Sequence, residues 1–397
     1  VSVPGRAATH ESPALLVPAH PDSQPPESEP APLLVPGRAT GVDSLERERR
    51  GLAAQQFALG RTFETSNPST AALYFRNALR LDPEMRDVRY RLGMIQLRND
   101  RIDQAIELFA QEVSRHPDHR DAARQLGISL ARAGQATHAV AQLEGMVAAD
   151  PKDGESWHAL GFAYLRASRP KDAERALRRA IALPPENAEE HRDLAGALDL
   201  QGRHDDARAE YRRAIAAAPR DPSAWFNLGN LEARAGRPDS AIAMYRQAQR
   251  RDSTFRPAYQ AEIQLERTHG RDDDALNVYR RWLAAVPTEH LARVEAVDLA
   301  LTTGRRDQAL ALARDGVRTA PGGESSRLLG VALAGTGDVR GAVLELRKAQ
   351  KAFGPGPASQ DIETVLARLR ASAPDSLRAF LAADSVANRA APPARKP

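Results

Sequence analysis

The chain has 397 residues, 56 Lys and Arg against 52 Asp and Glu, 28 prolines and no cysteine. Without cysteine there is no disulfide framework, thiolate zinc site, iron–sulfur cluster or cysteine nucleophile. A net charge of +4 over this length lacks the dense cationic footprint of a nucleic-acid binder, and no stretch approaches the roughly 20 apolar residues that span a bilayer. Almost all the basic residues are arginine, which points to GC-rich bacterial codon usage before it says anything about ligands.

Residues 1–50 read as a Pro-rich N-terminal arm, with nine prolines in the first 36 positions and no helical period. Two apolar cassettes sit 18 residues apart in it, Ala14-Leu15-Leu16-Val17-Pro18 and Pro32-Leu33-Leu34-Val35-Pro36. Flanking prolines keep such segments extended and lower the entropic cost of docking. Leu15, Leu16, Val17, Leu33, Leu34 and Val35 are therefore candidate docking residues, with a plain flexible stalk as the alternative. Extended, the arm reaches on the order of 100–150 Å, enough to cross onto a neighbouring molecule. The chain starts at Val1 without an apolar signal region, as expected of a processed mature chain.

From about residue 52 to 354 a period of 34 residues governs the sequence. An alanine column runs Ala71, Ala105, Ala139, Ala173, Ala207, Ala241, Ala275 and Ala309 without a slip. Beside it run a proline column (Pro83, Pro117, Pro151, Pro185, Pro219, Pro287, Pro321, with Ser253 in the gap) and a glycine column (Gly134, Gly202, Gly236, Gly270, Gly304). Within one unit, Trp157, Leu160, Gly161 and Tyr164 put an apolar stripe on a first helix. Ser168-Arg169-Pro170 breaks it. Ala173, Leu177, Ala180 and Ile181 form the stripe of a second helix that ends at Pro184-Pro185. Small residues let the two axes approach, while bulky ones fill the space between units.

The pattern Trp157-x2-Leu160-Gly161-x2-Tyr164, Ala173-x3-Leu177, Pro185 resembles the tetratricopeptide repeat, with Leu in place of Phe. The resemblance implies an all-α, right-handed superhelical solenoid of about nine helix-turn-helix units over 51–354, with first helices lining a concave groove. The first and last units are irregular, and units seven and eight depart most, with Glu262-Ile263 and Ala296-Val297 in place of Leu-Gly. C-terminal capping helices are expected over 355–383, from Asp361, Ile362, Val365, Leu366 and Leu369, followed by a flexible tail over 384–397.

In this family, ligand-contacting residues lie on the exposed side of the first helix. Position by position, the resemblance implies one column of Arg98, Arg132, Arg166, Leu200 and Arg234. A second holds Tyr90, Arg124, His158, Arg192, Phe226 and Gln260, and a third Met94, Ile128, Phe162, Gly196, Asn230 and Gln264. An arginine ladder beside aromatic patches could bind carboxylates along an acidic peptide; a solvated arginine face is the competing reading. Asn227 and Asn230 match the family's carboxylate clamp, but Arg192 and Gly196 stand where it would want Lys and Asn.

Two other clusters are better read as structure than as metal sites. His116-Pro117-Asp118-His119 falls in an inter-unit turn and lacks a third ligand. Asp272-Asp273-Asp274 opens a second helix, where acids favour the helix dipole. No nucleophile elbow, phosphate loop or HExxH is present. The expectation is a non-catalytic scaffold without cofactor, metal or nucleic-acid ligand, binding a protein or peptide partner, with a self-assembling filament subunit as the alternative. The absence of cysteine and the Ser/Thr/Pro-rich arm suggest an extracytoplasmic location, with a cytoplasmic one as the alternative.

Overall fold

The computed structural model describes residues 42–185, 187–372, 380 and 382. Among them are nineteen helices and no strand. Eighteen of the helices form nine pairs. The first three are α1 (Val42–Phe63) with α2 (Pro68–Leu81), α3 (Val88–Arg98) with α4 (Ile102–Arg115), and α5 (Arg120–Arg132) with α6 (Ala136–Ala149). Next come α7 (Gly154–Arg166) with α8 (Pro170–Ile181), α9 (Ala188–Asp199) with α10 (His204–Ala217), and α11 (Pro222–Arg234) with α12 (Pro238–Arg251). The last three are α13 (Arg256–Thr268) with α14 (Asp272–Ala285), α15 (His290–Thr302) with α16 (Arg306–Thr319), and α17 (Gly323–Thr336) with α18 (Val339–Phe353).

A further helix, α19 (Pro357–Ser372), follows and buries Ile362 and Leu366 against Val343, Leu346 and Ala349 of α18, a cluster that Phe380 also joins. The arm is shorter than its sequence suggests: α1 already begins at Val42, so residues 42–50 belong to the first helical pair. Both cassettes, Leu15-Leu16-Val17 and Leu33-Leu34-Val35, lie outside the described residues, as does the tail from 383. The chain divides at Arg91 into two compact bodies, each taken by itself below.

In six of the nine pairs the decisive packing is a glycine on the first helix against the residue four after the column alanine on the second. Pairs five, seven and eight carry Ala195, Ile263 and Val297 at the glycine position. A Cβ on Gly60 would lie 2.5 Å from Phe75, on Gly93 2.5 Å from Phe109, and on Gly161 2.5 Å from Leu177. Gly229 against Tyr245 (2.6 Å) and Gly330 against Leu346 (2.7 Å) repeat it. The column alanines Ala71, Ala105, Ala139, Ala173, Ala207, Ala241, Ala275 and Ala309 are all fully buried. Unit eight reaches the same volume by exchange. Its first helix carries Val297 at the glycine position, and its second carries Ala313 at the large one, both buried in one cluster.

From the second pair on, the turn inside each pair uses a left-handed residue. Gly134, Gly202, Gly236, Gly270 and Gly304 have φ between 70° and 82°, and the same register holds Asp100 (φ 58°) and Ser168 (φ 57°). The following amide then reaches back six residues inclusive, as Gln135 to the Leu130 carbonyl (2.9 Å) and Arg169 to the Tyr164 carbonyl (2.9 Å), closing the helix end. The proline column has a second role beyond stopping the helix. Its carbonyls accept from the side chain six residues on: Arg89 to Pro83 (2.6 Å), Trp157 to Pro151 (3.0 Å) and Arg293 to Pro287 (2.9 Å). In unit six, Arg251 takes the Pro219 carbonyl (2.9 Å) while its guanidinium lies 5.6 Å from the Trp225 ring.

The divergent units are repaired by polar chemistry. Glu262, fully buried, accepts from Arg246 (2.8 Å), Gln249 (2.7 Å) and Arg281 (2.8 Å). Arg293 is fully buried too, held by the Pro287 carbonyl and Thr319 (3.1 Å), and its stem passes where a Cβ on Gly316 would stand, 2.6 Å away.

Two outcomes test this packing. Gly161→Val should cost about 1–3 kcal/mol by overpacking, and adding Leu177→Ala, itself costing about 2–5 kcal/mol alone, should cost less than the sum, as the Val297/Ala313 pair implies. A thermal-denaturation double-mutant cycle reads it. Ser168→Gly should stabilise by roughly 0.5–1 kcal/mol and Gly202→Ala destabilise by about 1–2 kcal/mol, because an L side chain is strained at positive φ; the shifts in Tm should have opposite signs.

Candidate functional site

Inside the second body, first helices of successive pairs touch one another, as α5 with α7, α7 with α9, α11 with α13 and α15 with α17. No pair of successive second helices touches to that extent. The pairs therefore stack as wedges, with first helices on the crowded inner side. Their exposed residues line the candidate site.

The carboxylates decide what the arginines there can do. In the middle of the array the residue two after the column proline caps the next first helix: Asp153 accepts from the Ser156 amide (3.1 Å), Asn187 from Glu189 (3.0 Å) and Asp221 from Ser223 (2.9 Å). The acids of this column also hold cations of the preceding pair. Asp153 takes Arg120 at 2.9 Å and Arg124 at 3.7 Å, Asp221 takes Arg192 at 3.8 Å, and Glu289 takes Arg256 at 2.8 Å. Arg124 further reaches Glu155 at 2.5 Å. Arg234 pairs with Asp199, and His158 with Asp193 at 2.9 Å. The columns read from sequence do not include these acids, although their register is visible there: Asp153, Asn187, Asp221 and Glu289 recur at the repeat interval, interrupted only by Phe255.

The structure separates the expected ligand residues into paired and unpaired ones. Tyr90 is half-buried on the first turn of α3, in the first body. Met94 is half-buried and Arg98 exposed farther along α3, in the second body. Arg124, His158 and Arg192 are half-buried and salt-bridged within the chain. Phe226 packs against Tyr245 and, edge-on, against Phe255, with centroids 5.9 and 5.6 Å apart. The Asn230 carbonyl oxygen accepts from the Tyr245 hydroxyl (2.9 Å), so one arm of that amide is committed to packing, while Asn227 is half-buried on α11. Arg132 is exposed and stands 6.0 Å from the Phe162 ring. Arg166 is exposed on α7, and Leu200, next along the same column, is 65% exposed. Neither Arg132 nor Arg166 has a carboxylate partner among the described residues. Arg132, Phe162, Arg166 and Leu200 thus make a run on the third to fifth pairs, where cation and apolar surface face outward.

Burial and charge set the protonation states nearby. Burial lowers the His158 pKa, but the hydrogen bond and charge of Asp193, with Glu190 and Glu189, outweigh it and hold the imidazole above its ordinary value. Burial likewise raises the Asp153 carboxyl, and the Ser156 hydroxyl and amide with Arg124 and Arg120 more than reverse it, so it stays ionised lower than usual. Burial with a hydrogen bond to Glu144 pushes Tyr164 up to about 12.

The other clusters are structural. His119 caps α5, its Nδ1 accepting from the Ala122 amide (3.3 Å). Asp272, Asp273 and Asp274 form the first turn of α14, and Arg305 donates to Asp273 (2.9 Å from Nη2). Among the described residues no group of three or more His, Cys, Asp or Glu could hold a metal ion, and no helix is long and apolar enough to cross a membrane.

Comparison with known families agrees with this architecture. Two tetratricopeptide repeat models match, one over residues 63–127 and 98–161, the other over 158–222, 201–257 and 294–357. The chain belongs to the tetratricopeptide repeat family. No curated protein matches it by sequence. Similar solved structures include TTC0263, a thermophilic TPR protein of Thermus thermophilus, at 22% identity, covering 45% of this chain and 96% of that one with a TM-score of 0.42. Pseudomonas aeruginosa pilF is similar at 22% identity over 52% of this chain and 94% of its own, TM-score 0.40. MamA from Desulfovibrio magneticus RS-1 is similar at 22% identity over 45% and 97%, TM-score 0.37.

The His158–Asp193 pair carries a pH signature. Since the folded pKa is raised, its stabilisation is complete below the unfolded value of about 6.5 and disappears as pH rises through the folded value. Proton NMR should show His158 titrating above an unperturbed histidine, and Asp193→Asn should move that titration down.

Proposed function

We propose that this chain is a non-catalytic interaction scaffold that takes an acidic protein segment with an apolar side chain on the inner face of its second body. Tetratricopeptide repeats support a protein-interaction role in general. The finer reading rests on one observation: Arg132 and Arg166 lack internal carboxylates among the described residues and flank Phe162 and Leu200, while neighbouring cations are already neutralised by the chain's own acids. A ligand carboxylate gains most beside a guanidinium that has no competing anion, and an apolar side chain gains most where Phe162 and Leu200 are otherwise wetted. The rest of the inner face, with its paired charges, would guide register and exclude mismatched segments. We place its site of action outside the cytoplasm, a reading supported by the Ser/Thr/Pro-rich composition of the N-terminal segment.

Charge reversal tests the proposal. Arg132→Glu with Arg166→Glu should weaken binding of a fluorescent Glu-rich peptide containing Leu by roughly tenfold or more at low salt, with Tm unchanged because both sites are exposed. Unchanged affinity in an anisotropy titration would reduce the run to a solvated face.

A further inference from the structure

The outer side of the second body carries two sockets at the same place in the repeat. One lies between α10 and α12, has a volume of about 630 Å³, and is lined by Ile215, Trp225, Leu228 and Met244. The other lies between α14 and α16, has a volume of about 590 Å³, and is lined by Leu283, Ala284, Ala311 and Leu312. Ile215 and Leu283 are 68 residues apart, two repeats, as are Met244 and Leu312. The sockets are therefore one site built twice, in the gaps that the wedge-like stacking opens between second helices. At the intervening position, between α12 and α14, Glu262 stands where the first socket has Leu228 and draws Arg246, Gln249 and Arg281 over the gap. That gap is closed by charge, while its neighbours stay apolar.

Each rim carries arginine, Arg208, Arg212 and Arg237 beside Glu232 at the first socket and Arg280 and Arg318 beside Asp307 and Asp315 at the second. Arg212, exposed, has no carboxylate partner among the described residues, and Arg280, bonded to the neutral Gln308 (3.0 Å), stands at the equivalent position 68 residues on. The repeat itself leaves unexplained two apolar cassettes in the N-terminal segment. The segment from 7 to 37 that carries them contains Glu11, Asp22, Glu27 and Glu29 and neither Lys nor Arg.

We propose that the two outer sockets are receptors for the chain's own N-terminal segment, one taking Leu15-Leu16-Val17 and the other Leu33-Leu34-Val35. Chemistry and spacing agree. Apolar side chains meet apolar floors, and the acidic connector is complementary to Arg212 and Arg280, which stand at equivalent rim positions. Helices packed 8–10 Å apart put second helices of adjacent pairs at most about 20 Å apart, so the sockets are at most about 40 Å apart. Equivalent cassette positions are 18 residues apart, which reach about 56 Å as polyproline II. Once one cassette is seated, the other is held near its socket at an effective concentration in the millimolar range, so two weak contacts act as one firm one. This surface is separate from the inner face, and the inference does not depend on what binds there.

The full-length chain with Leu15, Leu16, Leu33 and Leu34 each changed to Ser leaves the sockets open, and a fluorescent peptide of residues 9–37 then serves as probe in anisotropy titrations. Saturable binding is expected. Ser240→Glu and Ala311→Glu, both at exposed positions lining one socket each, should each weaken it by about tenfold or more, and together abolish it, with thermal melts unchanged. The same peptide with its four leucines replaced by serine should not bind. No saturable binding, equal binding of the serine peptide, or indifference to both glutamate substitutions would each overturn the proposal.

Discussion

The close approach of the two helices in most pairs is the constraint from which the rest follows. A glycine without Cβ lets Phe75, Phe109, Leu177, Tyr245 or Leu346 lie directly on the first-helix backbone. That contact fixes the distance and angle within a pair, so the only remaining freedom is how one pair stacks on the next. Because the first helices are drawn together, the second helices diverge, and an inner crowded face and an outer gapped one arise from the same residue. Unit eight shows that the bulk can move from one helix to the other, although unit seven buries both Ile263 and Tyr279. Val297 with Ala313 fills the space that Gly161 and Leu177 fill, with the bulk moved to the other helix.

Charge is organised by the same period. An acid that begins one first helix also receives an arginine from the pair before it, so Asp153, Asp221 and Glu289 each link helix termination to unit stacking. Such exposed pairs contribute little individually. Their larger consequence is selective. They consume most of the cationic potential of the inner face and leave Arg132 and Arg166 as the positions where an incoming carboxylate meets no rival among the described residues. On the outer side a single residue has a comparable effect: Glu262 fills the gap between α12 and α14 with a hydrogen-bonded polar cluster where its two neighbouring gaps are apolar sockets, and its full burial is offset by three donors.

Helix pairs, turns and the nine-fold repetition were legible in the sequence because each is a local demand recurring at a fixed interval. A left-handed turn residue selects glycine, and the helix after it selects alanine at the close approach. Asp100 and Ser168 hid two turns of that series, since the backbone there imposes the conformation on residues that do not prefer it. The start of α1 was hidden too, because the residues around Val42 sit next to a proline-dense segment whose composition masks the onset of helical periodicity.

Length, the absence of cysteine, the 34-residue period and the division into arm and array were determined by the sequence alone. Only the tertiary structure decided which arginines are spoken for. A column of residues on one helix face specifies what is presented, but pairing depends on acids about thirty residues away that approach only when one unit stacks on another. The distinction between open and closed outer gaps is of the same kind. Glu262 reads in sequence as a damaged repeat, and its meaning appears only when Arg246 and Arg281, from helices on either side, converge on it.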